Sequence, residues 1–455
     1  MPGSLRNWGP LCPYSIITTR SYTKTAAGAS SSAPRSGYLP RDQRLSESLM
    51  AAGQRLLTNA GIVGGLLLFL FMGYLNPFFT LYVSALGGTS ADIGFLVMLR
   101  GAAAIAISLP AGYLIDRTGV FQVLSIGMIG MIAALLLMVV VNPSYWILGL
   151  SQIFYGISTT ILVTGFQVLV AGGDRDTRNR SIKRYAMWVA AGTMVGPLLG
   201  TLILGASSDP LTGYRNAFSF SAIWSALGLV ALILLGRNQR KPEPLHTTSS
   251  EGPWSQLISG SRLLLDIRAV QAGLIITFII MFIQGLYFSF VPLYFQHSGY
   301  SSQWIGFSLA AYGFAGMTVR VMIPWLTRLL GLMPLLLLAG AISSLCILIM
   351  PLSATSPLTG LALMLVMGAA VGLNLPISIM LMVDWVKGPD HGKLMGWRLL
   401  VNRTAQMLSP LMFGLVAQAF GLVSAFLFSG VLLLIAMAAF YIIIRRTDKE
   451  TQHVL

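Results

Sequence analysis

The stretch Gly112-Tyr113-Leu114-Ile115-Asp116-Arg117-Thr118-Gly119 stands between two long apolar runs. One enters from Ala91 and the other leaves towards Val141, each long enough to cross a hydrocarbon core about 30 Å thick. The stretch therefore reads as the tight turn of a membrane hairpin. Gly112 is expected to let two helices approach closely, Asp116 and Arg117 to set opposite charges at the membrane surface, and Gly119 to permit the turn into the next helix.

Composition widens that reading to the whole chain. Of 455 residues, 55% are hydrophobic and only 9% charged, with a mean hydropathy of +0.76, values outside the range of soluble globular domains. The formal charge of +15 does not imply a nucleic-acid partner, because the basic residues are dispersed over loops instead of gathered on one polar domain. Cys12 lies in a polar tail and Cys346 in an apolar run, which excludes a disulfide framework. His246, His297, His391 and His453 all fall in loops or tails, so neither a metal site nor a nucleophilic constellation can be assembled from them. With no phosphate-loop motif, no ATP-driven step and no cofactor is expected.

Twelve apolar stretches follow one another, near 60–83, 91–114, 121–141, 145–171, 185–206, 217–236, 271–295, 303–327, 332–352, 357–383, 394–418 and 423–444. The expected organisation is a disordered tail over 1–57, a six-helix bundle over 58–236, a linker over 237–268, a second six-helix bundle over 269–445 and a short tail over 446–455. The first tail is Arg-rich and poor in acids, as organelle transit peptides are, but Pro10 and Pro13 make a poor amphipathic helix, so a cytoplasmic tail fits better. Lys and Arg collect in the two tails, the linker and the loops holding Arg117, Arg175–Arg184, Arg328, Lys387 and Lys393, whereas the opposite loops hold Arg215 alone. Since basic residues accumulate on the cytoplasmic side, both termini are expected inside a multi-pass plasma-membrane protein, or the inner membrane of a bacterium, with an organelle membrane as the alternative.

The chain also repeats itself. Leu81-Tyr82 returns as Leu293-Tyr294, Gly87 as Gly299, Ser90 as Ser302 and Ile93-Gly94-Phe95 as Ile305-Gly306-Phe307, all at one spacing of 212 residues. The same spacing carries Gly73 to Gly285 and Gly119 to Gly331, so the first two helices reappear as the seventh and eighth.

Gly112, Leu114, Asp116, Arg117 and Gly119 resemble the loop signature G-x-L-a-D-r-x-G-r-k of the major facilitator superfamily, with Val120 and Phe121 in place of its basic pair. A second stretch, Gly192-Thr193-Met194-Val195-Gly196-Pro197-Leu198-Leu199-Gly200, is similar to the G-x-x-x-G-P-x-x-G motif of family members that export substrates in exchange for protons. Small residues at that spacing allow close helix packing, and Pro197 weakens a backbone hydrogen bond. The resemblance implies an all-α integral membrane protein of twelve helices in two bundles that rock around a midplane site. It also implies a small-molecule substrate, protons as the coupling ion, and a gate built from Asp116, Arg117 and Arg398 with neighbouring glycines.

Charges inside spans are costly, which makes each a functional candidate. Arg100, Arg320, Arg398 and Arg403 are the four, while Asp92, Asp116 and Asp384 stand only at span ends. Several guanidinium groups with few anionic partners favour an anionic ligand, and Arg100 and Arg403 are the expected contacts, with Arg320 and Arg398 assigned to gating. The resemblance implies that helices one, four, seven and ten line the path. It adds Tyr74, Asn76 and Phe78, then Gln152 and Tyr155, then Gln284, Tyr287 and Phe288, and finally Asn374 beside Pro376. Arg398, Asn402, Gln406 and Ser409 give helix eleven one polar stripe, which must face protein or water. The functional expectation is a secondary transporter, not an enzyme, exporting an anionic or amphiphilic organic compound against protons. Import of an organic anion is the alternative, and a transporter-like receptor without net transport is the alternative of another class.

Overall fold

The computed structural model describes residues 41–139, 143–172, 175–207, 209–237, 268–383 and 391–452. α1 spans Arg41–Ala85, α2 Ser90–Thr118, α3 Val120–Val139, α4 Tyr145–Val170, α5 Arg175–Gly205 and α6 Pro210–Gly236. α7 covers Arg268–Ser289 and, past a break at Phe290, continues as a short helix, Val291–His297, with Pro292 in its first turn. α8 is Ser302–Leu330, α9 Leu332–Leu348 and α10 Pro357–Val383, with a 3-10 turn, Met350–Thr355, before α10. The final run, His391–Gln452, breaks at Gly421 (φ 83°) into α11 before that residue and α12 after it. From Ala52 onward the chain is one compact unit, and of Met1–Ala51 the described part is the start of α1.

Ten helices among the described residues are long and apolar enough to cross a membrane. The run holding α11 and α12 counts there as one, and α9 has 17 residues, just below the threshold, so the twelve stretches correspond to twelve helices. Large apolar side chains such as Trp146, Leu202 and Phe420 are exposed on the outer faces, as they must be where the solvent is hydrocarbon.

The helices outrun the apolar stretches. α1 begins at Arg41, not near residue 60, α5 at Arg175, not near 185, and α12 reaches Gln452. Apolarity marks immersion, whereas strong helix formers such as Arg44, Leu45, Met50 and Ala51 extend the helix into water. The expected tail is therefore helical from Arg41, and the C-terminal tail is helical to Gln452. Residues 1–40 and 238–267, where the rest of the tail and most of the linker were expected, lie outside the described residues.

The 212-residue repeat is visible in the backbone. α2 and α8 each have 29 residues and start after a hydroxyl cap, Thr89 or Ser301, that accepts the amide three residues on. Thr89 goes further and closes a capping box with Asp92. Each helix is preceded by a left-handed glycine, Gly87 (φ 85°) or Gly299 (φ 81°), and followed by another, Gly119 (φ 95°) or Gly331 (φ 81°). A side chain at any of these four positions would be strained, which is why the repeat preserves glycine there.

Within each half, glycines set the helix spacing. Gly192, Gly196 and Gly200 of α5 meet Leu66, Leu70 and Tyr74 of α1, and Gly73 of α1 meets Pro197. In the second half Gly285 of α7 meets Ser409 of α11 in the same arrangement. The small-residue motif of α5 thus forms the close contact expected of it.

Candidate functional site

The two bundles meet along two crossed pairs, α2 with α11 and α5 with α8. A Cβ on Gly94 would strike the Pro410 carbonyl, and one on Gly101 would sit on Met407. Symmetrically, Gly306 abuts Thr201 and Pro197, and Gly313 abuts Met194. These contacts all lie in the first half of α2 and α8, towards the Gly87 and Gly299 turns. Gly112, near the other end of α2, has open space around it. Among the described residues, the close helix approach expected at Gly112 is therefore not formed, whereas the Gly87 and Gly299 end of the seam is tightly packed.

Contact of Gly101 with Met407 sets Arg100 of α2 close to Arg403 of α11, and the two guanidinium groups interact electrostatically. Arg100 donates through Nη1 to Asn76 Oδ1 of α1 at 2.8 Å, and the Tyr155 hydroxyl of α4 donates to the same oxygen at 3.2 Å. The Arg100 guanidinium also lies 5.8 Å above the Tyr155 ring, a cation–π distance. Gly156 allows this, since a Cβ there would collide with the Arg100 carbonyl and push α4 off α2. Gln152, Tyr155 and Arg100 border a small cavity of about 10 Å³.

The polar stripe of α11 faces protein. Arg398 donates through Nη2 to Ser378 Oγ of α10 at 3.0 Å, and Gln406 Nε2 to Gln284 Oε1 of α7 at 3.0 Å. Several polar atoms around this centre have no hydrogen-bond partner among the described residues: Nε of Arg403 and Arg398, Oδ1 of Asn402, Oε1 of Gln152 and Nδ2 of Asn374. Asn374 Oδ1 accepts a long hydrogen bond, 3.5 Å, from Thr277. In the sequence no acid lies between Asp92 and Asp116 on α2, and Asp92 is committed to its cap. Two guanidinium groups, one with a buried nitrogen unpartnered, form a site able to receive a carboxylate or phosphate.

Two expected contacts turn away. Tyr74 is wholly buried, and its hydroxyl is 2.5 Å from Ser221 Oγ of α6, inside the first bundle. Tyr287 stacks on Tyr312 with ring centroids 3.7 Å apart and donates to the Leu309 carbonyl, so it fastens α7 to α8. Phe78 packs on Tyr214 in the core of the first bundle, and Phe288 packs on Tyr287. For Tyr74, Tyr287 and Phe78 a distant partner, invisible in the sequence, holds the ring. Arg320 reaches the Gly372 carbonyl of α10 at 3.5 Å, the carbonyl-capping role open to it. Gly119 and Arg117 occupy the turn as expected, with Arg117 3.5 Å from the Tyr113 hydroxyl, whereas the Asp116 side chain lies outside the described residues.

The repeat therefore builds two six-helix bundles that meet over a shared polar centre. The chain belongs to the Major Facilitator Superfamily, whose sequence model matches residues 61–363 and 332–454. It is 26% identical over 224 residues to the quinolone resistance protein NorA of Staphylococcus aureus, covering 49% of this chain and 55% of that protein. To NorA of strain MSSA476 it is 28% identical over 171 residues, 37% of this chain and 41% of that one. The match thus spans about half the length of these curated relatives. Among solved structures, a POT family transporter in complex with 5-aminolevulinic acid has a TM-score of 0.69 at 15% identity, over 85% of this chain and 96% of that one. A D-xylose–proton symporter has a TM-score of 0.68 at 15% identity, over 84% and 96%.

Proposed function

We propose that the protein is a secondary transporter that carries an organic anion across the membrane by alternating access, exporting it in exchange for protons. The observation that carries this reading is the Arg100–Arg403 pair, held against Asn76 and Tyr155 where the bundles meet, with the Arg403 Nε buried and unpartnered. An anion between the two guanidinium groups supplies the missing acceptor and removes their mutual repulsion. Gln152, Gln284 and Asn374 are the further contacts assigned to the substrate. The glycine contacts of α2 and α8, together with Asp116, Arg117, Arg320 and Arg398, are assigned to the gates.

The basic residues of the loops support an orientation with both termini in the cytoplasm. The end sealed by Gly94 and Gly306 is then the outer one, and the conformation described is closed to the outside. Relatives named for quinolone resistance support the outward direction. One observation favours a second coupling, exchange of one anion for another: the acids of the sequence stand at span ends and in polar segments, leaving no mid-span carboxylate to carry a proton.

Transport in proteoliposomes by a panel of aromatic carboxylates, neutral analogues and cations, with and without a pH gradient, tests the proposal. Movement of the carboxylates, driven by the gradient and lost in Arg403→Met, is expected. Movement of cations alone would end the anion reading, and indifference to pH with counter-anion dependence would replace proton coupling by exchange.

A further inference from the structure

A cleft of about 340 Å³ runs along the first bundle between α1, α3, α4 and α6, and its deep end shares Leu75 and Leu135 with the small cavity that Arg100 borders. The register of its walls follows from contacts further along. Phe71 packs on Phe220, Tyr74 bonds Ser221 and Phe78 packs on Tyr214, so α1 and α6 run antiparallel. Leu56 and Leu235, both lining residues, therefore lie at the same end, and Leu75 and Ser221 lie at the deep end. From Ala60 to Leu75 the wall is about 22 Å long at the rise of an α-helix.

The lining is almost wholly apolar, and its serines are already satisfied. Ser221 donates to the Ala217 carbonyl and meets Tyr74, and Ser225 donates to the Ser221 carbonyl. A polar ligand finds nothing to bond there, and water finds no partners. Chemistry changes at the Leu56 end, where Asn59 is exposed and the exposed Arg55 and Arg237 lie one residue before the lining residue Leu56 and two residues after the lining residue Leu235. Along its side the cleft opens past Val63 and Trp224, 52% and 42% exposed at apolar depth.

We infer that this cleft holds one acyl chain of an anionic phospholipid of the surrounding bilayer, with the phosphate at the mouth between Arg55 and Arg237. Length, dryness and the cationic rim together fit a single alkyl chain with a negative head. The lateral opening chooses the source: bilayer phospholipid faces it permanently, whereas a free amphiphile must first partition into the membrane.

The test uses the full chain in phosphatidylcholine vesicles carrying increasing fractions of phosphatidylglycerol or phosphatidylcholine with brominated chains, which quench tryptophan on contact. The difference between the wild type and Trp224→Phe isolates the signal of Trp224. Half-quenching by brominated phosphatidylglycerol is expected at a mole fraction at least fivefold below that for brominated phosphatidylcholine. Arg55→Gln and Arg237→Gln should each raise the phosphatidylglycerol value about fivefold. Gly228→Phe should reduce quenching by either lipid, because a side chain there meets only the flexible end of Met128 and grows into the cleft. Equal quenching by the two lipids, or arginine variants that behave as the wild type, would overturn the inference. So would stronger quenching by a brominated fatty acid than by phosphatidylglycerol at equal mole fraction.

Discussion

Replacing Arg403 by methionine should make the protein more stable and less functional at once. Its Nε is buried without a partner among the described residues, and its guanidinium group lies within electrostatic reach of Arg100. An unsatisfied buried donor costs about 1–3 kcal/mol, and a buried charge replaced by a flexible apolar chain of similar length commonly gains stability. Arg403→Met is therefore expected to raise the unfolding free energy of the ligand-free protein by about 1–3 kcal/mol, read as an upward shift of the thermal midpoint in detergent. Affinity for the transported carboxylate should fall by about 2–5 kcal/mol, at least thirtyfold in KM, since the partner charge would be left without its clamp. Thermal stabilisation by that carboxylate should vanish with it. A variant less stable than the wild type that still transports at the normal rate would refute the reasoning and make Arg403 a structural residue.

Asn76→Asp places a carboxylate where the amide oxygen now accepts from Arg100 at 2.8 Å and should neutralise that guanidinium internally. Anion transport should drop at least tenfold with stability kept, as measured by initial rates and unfolding midpoints. Gly94→Val should wedge α2 off the Pro410 carbonyl of α11 and open the sealed end. In a background without Cys12 and Cys346, an Asn76→Cys reporter should then react faster with an impermeant thiol reagent added from the Gly87 side. Asp116→Asn should slow turnover severalfold without loss of membrane insertion, so unchanged transport by a well-expressed variant would remove Asp116 from the gate.

The fold was legible because membrane immersion and duplication both write directly into sequence. Apolar length marks a span, and two of the glycine pairs 212 residues apart, Gly87 with Gly299 and Gly119 with Gly331, proved to be left-handed turns at matching helix ends. Helix length beyond the membrane was not legible, since nothing in the polar run Arg41–Leu57 separates a helix in water from a loop. The charged centre could be anticipated from cost alone: an arginine inside a span needs a reason. Its geometry could not. Asn76 was one amide among several, and only the packing of α1, α2 and α4 makes it the shared acceptor for Arg100 and Tyr155. Tyr74 and Tyr287 misled because an aromatic with a hydroxyl looks the same in sequence whether it bonds a ligand, Ser221 or the Leu309 carbonyl.

Gly119, Gly331 and Gly421 each join two helices through a single residue in nearly the same backbone state. A joint that short cannot pay out slack. Each one fastens a helix at the seam between the halves, α2, α8 or α11, to a neighbour carrying exposed side chains such as Ile129, Leu338 or Phe428. In the alternating-access cycle proposed above, the rocking stroke is consequently geared to the protein's own lipid coat, and the thickness and tension of the host bilayer act as a load on it.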